Sequence, residues 1–249
     1  MDKAFLENLL AFDARPDSVQ LRKRSFELLE AGPGRRVADV GCGAGTAVAE
    51  LAAAGADAVG VDAAEEAVAF ARERHPDLRF ELGDAAKLPF PDESLDGYRA
   101  EKLYHALDDP GGACAEAHRV LAPGGRIVLL GQDWDLFVID SDDPALTRTI
   151  MTAAADELPH GRVARHYRAL LLDTGFTDVS CEVHTPVLDP ALAMFVVNRL
   201  ATGAVRTGAV SQAEADGWLA EQRGRAERDR LFVALPLFLA AGRRPVTPS

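Results

Sequence analysis

The sequence predicts an α/β fold in which a mostly parallel sheet carries helices on both faces. Strand-like segments alternate with helical ones along the first half of the chain, and the joints between them are short and rich in Gly and Pro. Repeated strand–helix units of this kind place neighbouring strands parallel. The strands predicted in this half are 37–40, 58–62, 78–84, 95–100 and 126–133.

The second half of the chain departs from this alternation. Two further strands are predicted, at 176–187 and 231–242, with helical segments between them. Because nothing in the sheet pattern requires those helices, they form a candidate lid over a ligand site. Apolar residues have helical spacing at 3–12, 17–31, 46–55, 65–75, 112–121, 145–157, 162–174, 189–202 and 212–229.

Charge and composition restrict the partners. The 249 residues carry a formal net charge of −12, which argues against electrostatic binding of nucleic acid or of an anionic membrane. A neutral or cationic small molecule is the easier partner. No apolar run reaches the roughly 18 residues that a membrane span needs. The N-terminal stretch MDKAFLENLL lacks the apolar core of a signal peptide, so we expect a cytoplasmic protein.

The cysteines favour the same compartment. Cys42, Cys114 and Cys181 are odd in number and form no CxxC pair, so neither a disulfide framework nor a structural zinc site is expected. No set of His, Cys and carboxylate residues has metal-ligand spacing, and no metal is predicted.

A glycine turn follows the first predicted strand, in the stretch VADVGCGAG (37–45). Gly41, Gly43 and Gly45 permit unusual backbone angles and let a ligand approach the main chain. The turn is typical of a nucleotide-like ligand. However, the lysine motif of triphosphate loops is absent, and Thr46 stands where the dinucleotide fingerprint has its last glycine. A plain tight turn between strand and helix is the alternative.

Acidic residues end the next two predicted strands. Asp62 can accept hydrogen bonds from both ribose hydroxyls of an adenosine, although an N-cap of the following helix is the alternative. Asp84 lies in GDAAKLPFPDESLD (83–96), beside small residues. Its carboxylate can accept a hydrogen bond from the exocyclic amine of adenine, while a neighbouring backbone N–H addresses a ring nitrogen.

Together with RVLAPGGRIVL (119–129), these motifs resemble those of the class I S-adenosylmethionine-dependent methyltransferases. The stretch LPFPDESLD (88–96) is most similar to the ubiquinone- and menaquinone-type small-molecule subgroup. The motifs lie within residues 35–133. The resemblance implies a Rossmann-like, seven-stranded, mostly parallel sheet with the last strand antiparallel, N-terminal helices and a helical lid insertion. It also implies S-adenosyl-L-methionine as cofactor and S-adenosyl-L-homocysteine as product.

On this interpretation the chain divides into four parts. They are an N-terminal helical cap (1–34), a Rossmann-like methyltransferase core (35–188), a helical lid insertion (189–230), and the last core strand with the tail (231–249).

The resemblance also implies which residues hold the cofactor. The glycine turn would line the methionine part and the ribose, Asp39 would orient the turn, and Asp84 with Ala85 would recognise adenine. Arg99 replaces the small polar residue often found at the end of the fourth strand, and an arginine there suits a planar oxyanion such as the cofactor carboxylate. The full predicted set is Asp39, Gly41, Cys42, Gly43, Gly45, Asp62, Ala63, Asp84, Ala85 and Arg99.

Candidate residues for the methyl acceptor follow the fourth and fifth strands. His105 is a candidate general base, and the alternative is packing near the cofactor without proton transfer. Trp134 can stack on an aromatic substrate or shield the sulfonium; the alternative is core packing. The predicted catalytic residues are His105, Tyr104 and Asp133. The predicted substrate residues are Trp134, Asp135, Phe12, Phe195 and Met194.

The leading hypothesis is methyl transfer to O, N or C of a small-molecule metabolite. The composition, which is rich in Ala, Arg and Gly and poor in Lys, suggests a secondary metabolite. One alternative is a protein of the same fold that binds the cofactor without methyl transfer, such as a cyclase or a binding module. A weaker one is an NAD(P)-dependent oxidoreductase. A small-molecule substrate is the expected partner, with no nucleic acid and no membrane; a homodimer is left open.

Overall fold

A seven-stranded sheet forms the centre of the protein, seen in a computed structural model that describes residue 10 and residues 12–246. The strands of the chain are β1 (Arg36–Val40), β2 (Asp57–Asp62), β3 (Arg79–Leu82), β4 (Leu95–Glu101), β5 (Leu121–Gln132), β6 (Val138–Ile139), β7 (Thr177–His184), β8 (Val233–Ala234) and β9 (Leu237–Arg243). The order in the large sheet is β3-β2-β1-β4-β5-β9-β7, and β6 pairs with β8 in a separate two-stranded sheet.

The strands of the large sheet run as predicted. β1 to β5 pair in parallel, and β9 lies antiparallel to both of its neighbours, β5 and β7. The carboxyl ends of β1, β2 and β4 therefore meet at one edge of the sheet, where open α/β sheets bind ligands. The predicted fold class is confirmed.

Helices cover the sheet and extend beyond it. They are α1 (Pro16–Leu29), α2 (Thr46–Ala53), α3 (Glu65–Arg74), α4 (Pro110–Val120), α5 (Pro144–Asp156), α6 (Tyr167–Asp173), α7 (Pro190–Arg206) and α8 (Gln212–Glu227), with short 3₁₀ helices at Tyr104–Ala106 and Val163–His166. α7 packs against both α5 and α8. α7 and α8 lie within the segment 189–230, which stays a predicted lid. Most of the predicted helix 3–12 lies outside the described residues.

Two predicted elements differ from the structure. The segment 231–242 was expected as one strand, but it forms β8 and β9 with a break at Pro236, because proline has no N–H to donate to a ladder. The segment 162–174 was expected as one helix, but it begins as the 3₁₀ helix and only then continues as α6.

Within the part of the chain that the structure describes, no helix is both long enough and apolar enough to cross a membrane.

Two features of the structure require glycine at position 45: its backbone conformation and the close approach of Phe80. It is the N-cap of α2 with φ of 78°, and a Cβ built there would lie 2.7 Å from Cζ of Phe80. We expect Gly45→Ala to lower the free energy of unfolding by about 1–3 kcal/mol, measured by urea denaturation.

Gly208 offers the matched control for that substitution. Its φ is 74°, but a Cβ there would meet nothing within 4 Å. Gly208→Ala should therefore show the backbone penalty alone, about 1 kcal/mol. Equal losses in the two variants would contradict the proposed contact with Phe80.

Candidate functional site

The glycine turn forms a bend between β1 and α2. Gly41 and Gly43 have φ of 74° and 49°, in the left-handed region that favours glycine. A Cβ on Gly41 would lie 3.1 Å from Cδ1 of Leu103, so no larger residue fits without displacing that side chain. The backbone N–H of Gly41 donates to the carbonyl of Val61 (2.8 Å), which joins the turn to the end of β2.

Asp62 fixes the same turn from the end of β2. Its Oδ2 accepts from the N–H of Gly43 (3.0 Å) and its Oδ1 from the N–H of Ala64 (3.0 Å). The N-cap of α3 is Ala64 and not Asp62, so the alternative of an N-cap does not describe this carboxylate. Each carboxylate oxygen has two lone pairs, and each keeps one for a ligand hydroxyl.

Two adjoining cavities open around this turn. The β4 cavity has a volume of about 420 Å³ and reaches the ends of β4 and β5; the β3 cavity has a volume of about 320 Å³ and reaches the end of β3. The two share Gly41, Asp62, Leu103 and Ala106. A cavity of about 580 Å³ elsewhere, lined from 109–111 and 155–166, contains none of the predicted site residues.

Most of the predicted cofactor residues line these two cavities. Asp39, Cys42, Gly43 and Arg99 line the β4 cavity, which also contains His105 and Trp134. The β3 cavity is lined by Ala63, Asp84 and Ala85. Gly45 lines neither cavity. The structure thus places an elongated space across the carboxyl ends of β1, β2, β3 and β4.

A buried ionic cluster of Asp39, Arg99 and Glu101 forms part of the wall of the β4 cavity, which we call its floor. Arg99 is 1% exposed, and each of its three nitrogen atoms donates to a neighbouring side chain. Nη1 donates to Asp39 (2.6 Å), Nη2 to Glu101, and Nε to the hydroxyl of Ser25 (2.9 Å). Because these contacts join α1, β1 and β4, the arginine positions the floor of the cavity. They also leave it less available for a cofactor carboxylate than the sequence suggested.

Burial and charge act against each other in this cluster. Burial raises the pKa of Asp39 even though Arg99 opposes the shift. Burial would also raise the pKa of Glu101, but Lys102 and Arg99 outweigh it and lower that pKa to about 2. Nζ of Lys102 lies 3.1 Å from Glu101 and 3.9 Å from the ring centroid of Phe12. Phe12, predicted to contact substrate, therefore lies beside a lining residue without lining the cavity itself.

His105 and Trp134 lie together at the β5 side of the β4 cavity. Their ring centroids are 5.7 Å apart in an edge-on arrangement. Burial, together with the charges of Arg199 and Lys102, lowers the pKa of His105 to about 4. The imidazole is therefore neutral at physiological pH, as a proton acceptor must be, although its low pKa makes it a weak base.

Besides Gly45 and Phe12, five further predicted residues do not line either cavity. Tyr104 is buried with its hydroxyl 3.3 Å from that of Tyr98, and Asp133 is fully buried against Arg165. The remaining three are Asp135, Met194 and Phe195. Asp135 pairs with Arg162, the side chain of Met194 is partly buried against the core, and that of Phe195 is 59% exposed. Their roles stay predictions, and those of Tyr104 and Asp133 have no support from position, because both side chains are satisfied inside the protein.

Sequence reasoning missed several residues that line the β4 cavity. Among them are Asp13, Arg22, Lys102, Gln132 and Arg199. One signal was available for Arg22: together with Ser25 it lies on the buried stripe of α1, beside Leu21 and Leu29. A charged residue on an apolar stripe points inward and requires a partner, which Glu50 provides at 2.6 Å.

Among the described residues no group of His, Cys, Asp and Glu is placed to hold a metal ion.

Comparisons with known proteins agree with this architecture. Residues 38–129 match the family described as "Methyltransferase domain". The chain is 36% identical over 180 residues to an uncharacterized 37.1 kDa protein in transposon TN4556 of Streptomyces fradiae, an alignment covering 70% of this chain and 51% of that protein. It is 39% identical over 108 residues to a demethylmenaquinone methyltransferase of Beutenbergia cavernae, covering 43% of this chain and 45% of that enzyme.

A solved structure, the YcgJ protein of Bacillus subtilis, shares the fold with a TM-score of 0.62 at 19% identity, covering 90% of this chain and 97% of that one. The chain spans about half the length of the two curated relatives named above, from Streptomyces fradiae and Beutenbergia cavernae.

The fold and the site define an α/β protein with two adjoining cavities at the carboxyl ends of its parallel strands. Residues 38–129 are similar to methyltransferase domains. The resemblance to the class I S-adenosylmethionine-dependent methyltransferases, including their menaquinone-type members, is confirmed.

Proposed function

We propose that the protein is an S-adenosylmethionine-dependent methyltransferase that transfers a methyl group to O, N or C of a small-molecule metabolite. The observation that carries the proposal is the pair of joined cavities with Asp62 between them. The matches to the methyltransferase domain and to a demethylmenaquinone methyltransferase support it.

The cavity residues fit the cofactor by their chemistry. Asp62 offers two carboxylate oxygens to the ribose hydroxyls, and Asp84 with the backbone of Ala85 faces the β3 cavity, where adenine would lie. Gly41 and Gly43 leave room for the methionine part because neither has a side chain. When bound, S-adenosylmethionine supplies a methyl group on a sulfonium sulfur.

The remaining lining residues would serve the acceptor. Trp134 and Leu103 exclude water from the β4 cavity, since both are largely apolar and Trp134 is nine-tenths buried. Nδ1 of His105 is buried without a hydrogen-bond partner, so Nε2 is the nitrogen that would take a proton from an acceptor. Positioning alone can supply about 7–11 kcal/mol of the lowered barrier, and a base adds to it.

We further infer that the acceptor is a secondary metabolite and that the enzyme is cytoplasmic. The first inference rests on the composition, and the second on three cysteines that form no CxxC pair. The assembly, with a homodimer as one alternative, is open to measurement by light scattering.

Replacing Asp62 with alanine should weaken the binding of S-adenosylhomocysteine at least about tenfold by calorimetry. The reason is the loss of charge-assisted hydrogen bonds to ribose together with the loss of the hold on Gly43. Asp57→Ala is the matched control, because Asp57 begins the same strand and pairs with Arg79 on the surface. Unchanged affinity in the Asp62 variant would overturn the ribose assignment.

The same titrations separate the alternatives. Tight binding of NADH with no binding of S-adenosylhomocysteine would favour an oxidoreductase. Incubation with cofactor labelled in its methyl group and a metabolite extract tests transfer itself. Tight cofactor binding without any labelled product would favour a cyclase or a binding module.

A further inference from the structure

The β4 cavity is lined by the guanidinium of Arg199, beside Gln132 and Trp134 at the end of β5. The carboxylates that line the same cavity are those of Asp13, Asp39, Asp62 and Glu101. Arg199, from α7, makes no ion pair with any described residue, and its guanidinium carbon lies 5.0 Å from the ring centroid of Trp134. The nearby carboxylate of Glu157 has both oxygens engaged by Arg206, at 2.7 and 2.8 Å.

Two buried side-chain atoms beside Arg199 have no hydrogen-bond partner. They are Oε1 of Gln132, which can only accept, and Nε1 of Trp134, which can only donate. Gln132 and Trp134 are 7% and 9% exposed, so water reaches neither of them freely. Leaving such groups unpaired costs about 1–3 kcal/mol each, which a bound ligand can offset by supplying partners.

The chemistry of the set points to an oxygen anion. The indole N–H of Trp134 can only donate, and Arg199 brings a full positive charge. Charge-assisted hydrogen bonds of this kind favour a carboxylate or an ionised hydroxyl over a neutral group. The guanidinium over the face of Trp134 also gives a flat surface against which a planar ring can pack.

We propose that the methyl acceptor carries an anionic oxygen, as a carboxylate or an ionised hydroxyl, and that Arg199 with the indole N–H of Trp134 binds it. The inference rests on the proposed methyl transfer, since it assigns the acceptor. It differs from the expectation based on net charge, which favoured a neutral or cationic ligand. The overall charge of −12 is spread over the chain, whereas Arg199 places a positive charge in this cavity.

The test compares anionic and neutral probes of matched shape, by calorimetry on the full chain saturated with S-adenosylhomocysteine. One pair is benzoate and benzamide. The other is para-nitrophenol, ionised at mildly alkaline pH, and para-cresol, which stays neutral there. We expect the anion of at least one pair to bind at least about tenfold more tightly than its neutral partner. Preference within the first pair assigns a carboxylate; preference within the second assigns an ionised hydroxyl.

Variants connect that preference to the arginine. Arg199→Gln should abolish it and Arg199→Lys should retain part of it, because lysine keeps the charge but loses the planar fork. Arg223→Gln is the matched control: Arg223 is exposed on α8 and lines neither cavity. Equal affinity within both pairs, no binding of either anion, or a preference that survives Arg199→Gln would overturn the proposal.

Failure of the proposed function has a different signature. In that case S-adenosylhomocysteine itself would not bind, before any probe is added. Saturation with S-adenosylhomocysteine followed by indifference to probe charge would reject only the assignment of Arg199.

Discussion

Replacing Arg99 with glutamine should lower the free energy of unfolding by about 3–5 kcal/mol, measured by urea denaturation. Arg99 and Asp39 are 1% and 4% exposed, and the pair lies beneath the β4 cavity. Removing the guanidinium leaves Asp39 buried without its cationic partner. Glu101 loses less, because Lys102 remains 3.1 Å away.

A surface pair supplies the control for this substitution. Arg36, at the start of β1, lies 3.2 Å from Asp96 with its side chain 49% exposed. Arg36→Gln should cost less than about 1 kcal/mol, because water screens and replaces the contact. Similar losses in the two variants would contradict a special role for the buried cluster.

The Arg99 variant should also respond differently to pH. Burial already raises the pKa of Asp39, and loss of the arginine removes the main effect opposing that rise. A carboxyl with a raised folded-state pKa lowers stability by an amount that grows as pH rises from its unfolded-state to its folded-state pKa, and that stays in full at higher pH. The variant should therefore regain part of its stability as pH falls toward the ordinary range of a carboxyl group.

The sheet was predictable because its signals are local. The predicted strand 37–40 and the glycine turn that follows it each depend on a few adjacent residues. The cofactor residues were equally accessible: in a parallel sheet the carboxyl ends of neighbouring strands meet, so Asp62 and Asp84 had to approach the same turn. For these residues, the position in the sequence at the end of a strand is enough to predict the position in space.

The acceptor side was less predictable because it is assembled from distant segments. Arg199 and Trp134 are separated by two strands (β6 and β7), two α-helices (α5 and α6) and a 3₁₀ helix. Nothing in their spacing indicates that α7 would bring the arginine over the indole. Tyr104 shows the converse error. It adjoins His105 in sequence, but successive residues of a short helix point in different directions, and Tyr104 faces the core against Tyr98.

The two sides of the cavity also differ in how their polar groups are satisfied. Around Arg99 each charged group has a protein partner, as expected for a floor that must hold its shape. Around Trp134 and Gln132 partners are missing, as expected where a ligand supplies them. This contrast separates residues that position the site from those that recognise a substrate.

Replacing His105 with alanine should lower turnover by about 10²–10⁴-fold while leaving the affinity for S-adenosylhomocysteine unchanged, if the imidazole accepts the acceptor's proton. His105 lines the β4 cavity close to Trp134 but is absent from the β3 cavity. His118→Ala is the matched control. Burial also lowers the pKa of His118, but this residue packs on Phe176 away from both cavities. Full turnover in the His105 variant would remove it as a base.

The pH dependence gives a second and independent test of the same residue. Burial, with Arg199 and Lys102, lowers the pKa of His105 from 6.5 to about 4 in the folded protein. His105 then becomes protonated, and stops acting as a base, only as the pH falls through about 4. The part of the pH dependence of kcat/KM that is due to His105 should therefore appear only near that pH. Between pH 6.5 and about 4 the unfolded chain binds this proton and the folded chain does not. The free energy of unfolding should therefore decrease as the pH is lowered from 6.5 to about 4. The His105→Ala variant should lack this part of the decrease. An imidazole titration by NMR with its midpoint near 6.5 would contradict both expectations.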